Sequence, residues 1–337
     1  MQPAIWFPTT KANTGTDAYT ERLVKGLNEQ GFKAEITWLP LRAEYAPWSV
    51  SAPKAPEWAN IVHVNTWLHP RFIPETLPIV ATIHHSVHHP DSRSYKGWLR
   101  TIYHRHWIAP IERRVLRKAS RVISVSQFVA STAKNTLTDV PMQVIYNGVD
   151  TALFKASTEP RKPNKPFRLL YVGSWTIRKG IDLLAPIMRE LGQDFELYYT
   201  GGPGSEKDKQ SMPANMFDIG RLQGDHEVVN AMQSADAFLF PSRSEGFSLA
   251  VTEAIACGLP VIATNSSSLP ETVEDGVTGV LCPKDDVTAF ANAARQLAKE
   301  GLHANKTGAS ANKVLSIQQN IAEHIKVYQH ISPVAKP

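Results

Sequence analysis

Cysteine is scarce in this chain: Cys257 and Cys282 are the two among 337 residues. Two cysteines make no disulfide framework, so a reducing cytosol is the default compartment. Long apolar runs are missing too. The longest are strand-sized, which excludes a segment able to cross a bilayer as a helix. The opening residues, MQPAIWFP, have neither the basic nor the apolar region of a secretory signal and read directly into a strand, so no leader is expected. No Asp-x-Asp occurs to hold a diphosphate through a metal, and no Gly-x-Gly-x-x-Gly marks a dinucleotide site.

The composition that is there, 42% hydrophobic and 20% charged, suits a folded soluble protein with room for two domains. Its net charge of +5 is unevenly placed. Residues 1–160 hold 18 Lys/Arg against 12 Asp/Glu, whereas residues 161–337 hold 18 against 19. Much of the excess lies in residues 93–121, which carry nine basic residues and one acidic one.

The chain is organised around residues 236–283. An apolar strand, Ala237 to Phe240, runs into a polar loop carrying Glu245. A helix follows from Ser248, its expected N-cap, to Gly258, and Pro260 leads into a second strand, Val261 to Thr264. In open α/β sheets ligands bind outside the carboxyl ends of strands, which is where Glu245 stands. Glu253 falls about five residues into the helix. A solvated helix position is the plain reading of such a glutamate. A hydroxyl-rich loop, a helix N-terminus and two acceptor-only carboxylates together suit a ligand with anionic and hydroxyl groups, as a nucleotide sugar has.

Glu245-Gly246-Phe247-Ser248-Leu249, Glu253-Ala254, Cys257-Gly258-Leu259-Pro260-Val261 and Pro270-Glu271 resemble the donor-site signature of glycosyltransferase family 4, the group 1 type. The resemblance implies an α/β fold of the GT-B class, two Rossmann-like domains facing each other across a donor/acceptor cleft, and retention at the anomeric carbon. It sets Glu245 against donor-sugar hydroxyls and Glu253 on the ribose, with Gly246, Phe247, Ser248 and Leu249 completing the donor loop. Gly15-Thr16, just before the first helix, resembles the family's glycine loop, where backbone approaches the diphosphate. Thr82-Ile83-His84 resembles its Thr-x-His motif, whose histidine contacts the donor sugar and reacting centre.

The run His84-His85-Ser86-Val87-His88-His89 invites a metal reading, but no Cys or clear carboxylate accompanies it and a loop sets its spacing. No metal and no cofactor are therefore expected, and His85, His88 and His89 are assigned to shaping the acceptor site. Within 93–121, Trp98, Leu99, Ile102, Tyr103 and Trp107 recur at helical spacing and predict one basic amphipathic helix. Its apolar face either packs on its own domain or meets an anionic membrane surface or lipid-linked acceptor. No motif for nucleic acid is present.

Asn147-Gly148-Val149-Asp150 resembles the family element that closes the first domain and is read as a turn. The expected organisation is a first domain over 1–155, a proline-rich linker and hinge over 156–166, a second domain over 167–312, and a terminal helix over 313–337 that crosses back. In the second domain, Gly173 to Gly180 resembles the family's Gly-Arg…Lys-Gly loop, whose cations clamp the diphosphate. Lys179 matches the Lys; Ser174 stands where the Arg belongs, and Arg178 is a substitute charge. Leu222, at a later strand exit, matches the place where the family reads the base.

The resulting expectation is a cytoplasmic, metal-independent, retaining hexosyltransferase. It would act on a glycan or lipid-linked acceptor in bacterial cell-envelope polysaccharide or lipopolysaccharide synthesis, docked on the inner membrane's cytoplasmic face. His84, Lys179 and Glu245 are its catalytic candidates. The rivals are a nucleotide-sugar epimerase of the same fold and a non-catalytic partner subunit that binds sugar nucleotide.

Overall fold

Alternating strand-sized apolar runs and amphipathic helices build two compact units, one from the chain up to Asn147 and from Ile317 onward, the other from Gly148 to Ser316. The structure is a computed structural model that describes residues 2–85, 87–158, 162–300 and 316–331. Residues 159–161 of the expected linker, and 301–315 and 332–337 of the second-domain and terminal segments, lie outside the described residues.

The first unit runs β1 (Ala4–Thr10), α1 (Gly15–Glu29), β2 (Lys33–Leu39), α2 (Arg42–Tyr45), β3 (Ile61–Asn65), β4 (Ile79–Ile83), α3 (Trp98–Tyr103), α4 (Ala109–Lys118), β5 (Arg121–Ser124), α5 (Gln127–Thr136) and β6 (Gln143–Val144). Its sheet has the order β2-β1-β3-β4-β5-β6, every pairing parallel. Strands β3 and β4 are almost wholly buried, as expected of parallel strands covered on both faces. Ile317, Ile321, Val327 and Tyr328 of the terminal helix α11 (Ile317–Ile331) pack into this unit's core beside Leu23 and Leu27 of α1.

The second unit continues with β7 (Phe167–Tyr171), α6 (Ile181–Leu191), β8 (Phe195–Tyr199), β9 (Met216–Asp218), α7 (Gly224–Ser234), β10 (Ala237–Phe240), α8 (Leu249–Ala256), β11 (Val261–Thr264), α9 (Leu269–Thr272), β12 (Gly279–Cys282) and α10 (Val287–Glu300). Its parallel sheet is ordered β12-β11-β10-β7-β8-β9. Read from β9, that is the doubly wound 3-2-1-4-5-6 arrangement, with its switch point between β7 and β10. All of β10 and β11 is buried.

Two expectations need correcting. The first unit ends at Asn147 rather than 155, because Val149 and Phe154 are fully buried in the second core. The nominal linker also starts to dock early: Asn164 donates its backbone N–H and side-chain amide to Asp236. Residues 93–121 are likewise not one helix. A π-helical turn at His104–Ile108 separates α3 from α4. Pro110 has no N–H for the His106 carbonyl and its ring would clash there, which a widened turn accommodates. Trp98, Leu99 and Ile102 do not pack on their own unit; they are 71%, 66% and 49% exposed.

Candidate functional site

The loops after β7 and β10 leave the second sheet at its switch point, and the chemistry converges there. Lys179, from the turn following β7, places Nζ 2.7 Å from Glu245 Oε1 in the loop following β10. Arg178 NH1 lies 3.6 Å from the same oxygen and donates to the Ser244 carbonyl. Ser242 Oγ donates to Glu245 as well, and the Lys179 ammonium sits 5.0 Å from the centre of the Phe240 ring. Both partners of the central pair are largely enclosed, with side chains 15% and 6% exposed.

Burial alone would raise the Glu245 pKa, but the Lys179 and Arg178 charges and the Lys179 and Ser242 hydrogen bonds outweigh it and hold the carboxyl below its ordinary value. Burial pushes the Lys179 ammonium below the usual lysine value; Glu245 opposes that shift and Arg178 adds to it. The pair is a carboxylate held ionised beside a cation that gives up its proton more readily than a surface lysine.

Backbone geometry fixes the approach of these loops. Gly180 has φ +73°, and a Cβ there would stand 2.1 Å from the Pro241 carbonyl oxygen, so only glycine lets the two loops close up. After the loop, Ser248 Oγ accepts from the Val251 N–H and caps α8 as expected. That helix ends in a Schellman motif: Gly258 is left-handed, Gly258 N–H bonds Ile255 O and Leu259 N–H bonds Ala254 O. Glu253 is buried on α8, four residues beyond its first residue.

The other predicted groups are divided between the two units. Ser174 is exposed, and its carbonyl accepts from Tyr171 Oη at 3.1 Å. Leu222 is half-buried in the loop after β9, two strands from β7. Gly246, Phe247 and Leu249 flank Ser248 at the entrance to α8. Gly15, Thr16 and His84 belong to the first unit. Gly15 and Thr16 open α1, and the loop before them is held by the Asp17 carboxylate, which accepts from Ala12 N–H and Asn13 N–H.

His84 follows β4 and is buried, its ring edge-on to Tyr19 at 5.1 Å. Burial first, then the nearby His85 and His324, pushes its pKa down to about 3, so it is a neutral imidazole. Behind it lies a buried polar network. His63 bonds Tyr328 Oη and Thr82 Oγ1, both at 2.7 Å, and Tyr19 Oη meets His324 Nε2 at 2.9 Å.

Sequence reasoning missed Arg243. It is buried beside Glu245 and makes a two-pronged contact with Asp182 at 2.6 and 2.8 Å, a third with Asp285 and a fourth with the Ile177 carbonyl. Asp218 was missed too; it accepts from Gly201 N–H, Gly220 N–H and Ser205 Oγ and so shapes the turns after β8 and β9. No local signal marks either residue, since the acidic partners of Arg243 stand 61 and 42 positions away.

The chain is similar to known proteins along most of its length. The family model described as "Glycosyl transferases group 1" matches residues 154–314, and that described as "Glycosyltransferase Family 4" matches residues 17–153. A glycogen synthase of Mycobacterium tuberculosis is 29% identical over 278 residues, 76% of this chain; the chain spans 64% of that relative's length. Among solved structures, a sucrose-phosphate synthase from Thermosynechococcus elongatus superposes with a TM-score of 0.80 at 18% identity, covering 98% of this chain and 99% of that one. Anabaena HepE in complex with UDP and glucose gives 0.73 at 17% identity, covering 97% and 100%.

Proposed function

Because the chain belongs to glycosyltransferase family 4, of the group 1 type, we propose that it is a retaining glycosyltransferase that moves a sugar from a nucleoside diphosphate donor to a hydroxyl of a glycan or lipid-linked acceptor. The observation carrying this reading is the Lys179–Glu245 contact at the switch point of the second sheet. Lys179, with Arg178 beside it, donates to the departing β-phosphate, where negative charge grows as the glycosidic bond breaks. These cations supply that charge without a metal ion. Glu245, held ionised, accepts from donor-sugar hydroxyls, and Glu253 takes the ribose.

His84 acts from the acceptor side together with Gly15 and Thr16. A neutral imidazole hydrogen-bonds a sugar hydroxyl without repelling positive charge at the anomeric carbon. Glu245 is tied to Lys179 and Ser242, which suits it poorly to be a covalent nucleophile. The acceptor therefore attacks on the face the diphosphate leaves, and a leaving phosphate oxygen takes its proton.

The exposed Trp98, Leu99 and Ile102, set among basic residues, support contact with an anionic membrane on its cytoplasmic side, where a lipid-linked envelope acceptor would lie. Each basic residue near such a surface contributes about 1 kcal/mol. Sedimentation with anionic but not zwitterionic vesicles, weakened in Trp98→Ser/Leu99→Ser, is the expected result. Equal sedimentation with both vesicle types removes the membrane from the proposal.

The donor is found by thermal shift against UDP-, GDP- and ADP-sugars, UDP-glucose first, since a ligand of the folded state raises its stability. Donor consumption with and without sugar acceptors then separates transfer from epimerised or unchanged donor. Lys179→Ala and Glu253→Ala are each expected to lose transfer; full activity in either overturns the site assignment.

A further inference from the structure

Glu112, on α4 in the first unit, is wholly buried, and both of its oxygens are taken by groups from strand exits. Oε1 accepts from Thr66 Oγ1 at 2.9 Å, just beyond β3, and Oε2 lies 2.6 Å from His88 Nε2 in the loop after β4. A carboxylate can only accept, so this contact assigns a proton to Nε2, and in the neutral imidazole Nδ1 of His88 is then an accepting lone pair. The geometry is that of an imidazole whose tautomer a buried acid selects.

His88 belongs to a chain of rings that starts at His84. The His84 and His85 rings are 6.3 Å apart, Trp67 lies 4.8 Å from His85 and 5.6 Å from His104, and His104 lies 6.5 Å from His88. Trp67 follows directly on Thr66, so one carboxylate anchors two of the three segments that carry the cluster. His104 Nδ1 and Trp67 Nε1 are buried with no hydrogen-bond partner among the described residues. The cluster thus combines flat apolar faces with two ring nitrogens, of Trp67 and His104, left unpaired among the described residues, the mixture that recognises a sugar ring through its C–H face and its hydroxyls.

We propose that Trp67, His85, His88 and His104 form a subsite for a neutral sugar ring of the acceptor, in which His88 Nδ1 accepts a hydroxyl next to the attacking one and Glu112 is the positioning residue that sets its tautomer. The assignment of this sugar to the acceptor rests on the transferase reading above. The attacking hydroxyl keeps its proton for the leaving phosphate, so His88 orients and does not deprotonate.

Glu112→Gln is the direct test. The amide oxygen still accepts from Thr66, while its NH₂ donates to His88 Nε2 and forces the proton onto Nδ1, turning an acceptor into a donor. Nitrogen-15 NMR of the imidazoles in the full chain is expected to show an Nε2–H tautomer for His88 in the wild type and Nδ1–H in Glu112→Gln. Titration with methyl α-glucoside and methyl α-mannoside is expected to move the His88 resonances saturably in the wild type, and at least tenfold more weakly in Glu112→Gln and His88→Phe. Glu112→Asp, which keeps the charge, restores part of the loss. UDP-glucose hydrolysis without acceptor stays within about twofold of wild type in the two Glu112 variants.

An Nδ1–H tautomer in the wild type, or no saturable response to either glycoside, overturns the proposal. So does a Glu112→Gln protein that melts earlier yet binds both sugars normally, because that is the behaviour of a purely structural tie. If the wild type binds the glycosides at His88 but never cleaves a nucleotide sugar, the subsite stands and the transferase reading fails.

Discussion

The two units share a parallel, helix-covered sheet, yet they bury different chemistry. The second unit gathers fixed charges: Lys179, Arg178 and Glu245 at the centre, with Arg243, Asp182 and Asp285 bracing them. The first unit, apart from the buried Glu112–His88 contact, gathers neutral groups. His63, His84 and His324 are all buried with lowered pKa values, and Tyr19 and Tyr328 bond to them. A buried charge persists where an opposite charge neutralises it, as Lys179 and Glu245 do for each other; a buried histidine without one sheds its proton. In the proposed reaction, permanent charge answers the diphosphate and uncharged hydrogen-bonding groups answer hydroxyls.

The comparison breaks most sharply at Lys179. Lys179→Ala is expected to lower turnover about 10³-fold, about 4 kcal/mol of transition-state stabilisation, whereas His84→Asn keeps a hydrogen-bonding side chain and should lose less. A smaller loss at Lys179 than at His84, measured as donor cleavage, would reverse the assignment of roles.

Acid distinguishes the units next. His84 and His324 are held down to about 3 and about 4, against an ordinary 6.5, and His63 also lies well below 6.5. The unfolded chain therefore binds more protons in that window, so stability is present above pH 6.5 and falls as pH drops through it. The expected loss is at most about 1.4 kcal/mol per histidine per pH unit. The Glu245 carboxylate, held below its usual 4.5, keeps its own contribution until the pH is lower still. Calorimetry at pH 7 and pH 5 should show the transition of the first unit moving down more; equal shifts contradict the buried neutral histidines.

Arg243→Met removes the brace without touching the Lys179–Glu245 pair. About 2 kcal/mol of stability in the second unit should go with its charged hydrogen bonds, read by denaturant midpoint, with a fall in donor affinity. An unchanged midpoint would mean that the loops hold their places unaided. Arg178 is 42% exposed on its side chain, so its charge is screened and Arg178→Ala should lower turnover by only about tenfold. Ser174→Arg in that background is expected to restore activity; no recovery would show that the two positions do not share a target.

Much of this arrangement is legible in the residues themselves. The strand Ala237–Phe240, the Ser248 cap and the Gly258 stop are local events written in propensity and turn chemistry, and the structure has each of them. Helical spacing from Trp98 to Trp107 misled, because period alone cannot tell a stripe facing the core from one facing solvent, nor register what Pro110 does to the turn before it. Glu112 reads as one acid in a basic stretch; that it is buried between Thr66 and His88 depends on partners 46 and 24 positions away.

The sequence by itself determined the class of fold and the family, because short-range patterning and contiguous motifs need no distant partner to be read. Tertiary structure alone decided that Lys179 meets Glu245 at the 3-2-1-4 switch of the second sheet, that Arg243 is clamped by two acids, and that His84 is neutral. Each of these is a matter of burial and of charge brought close by strand order, and strand order is not a property of any local stretch of chain.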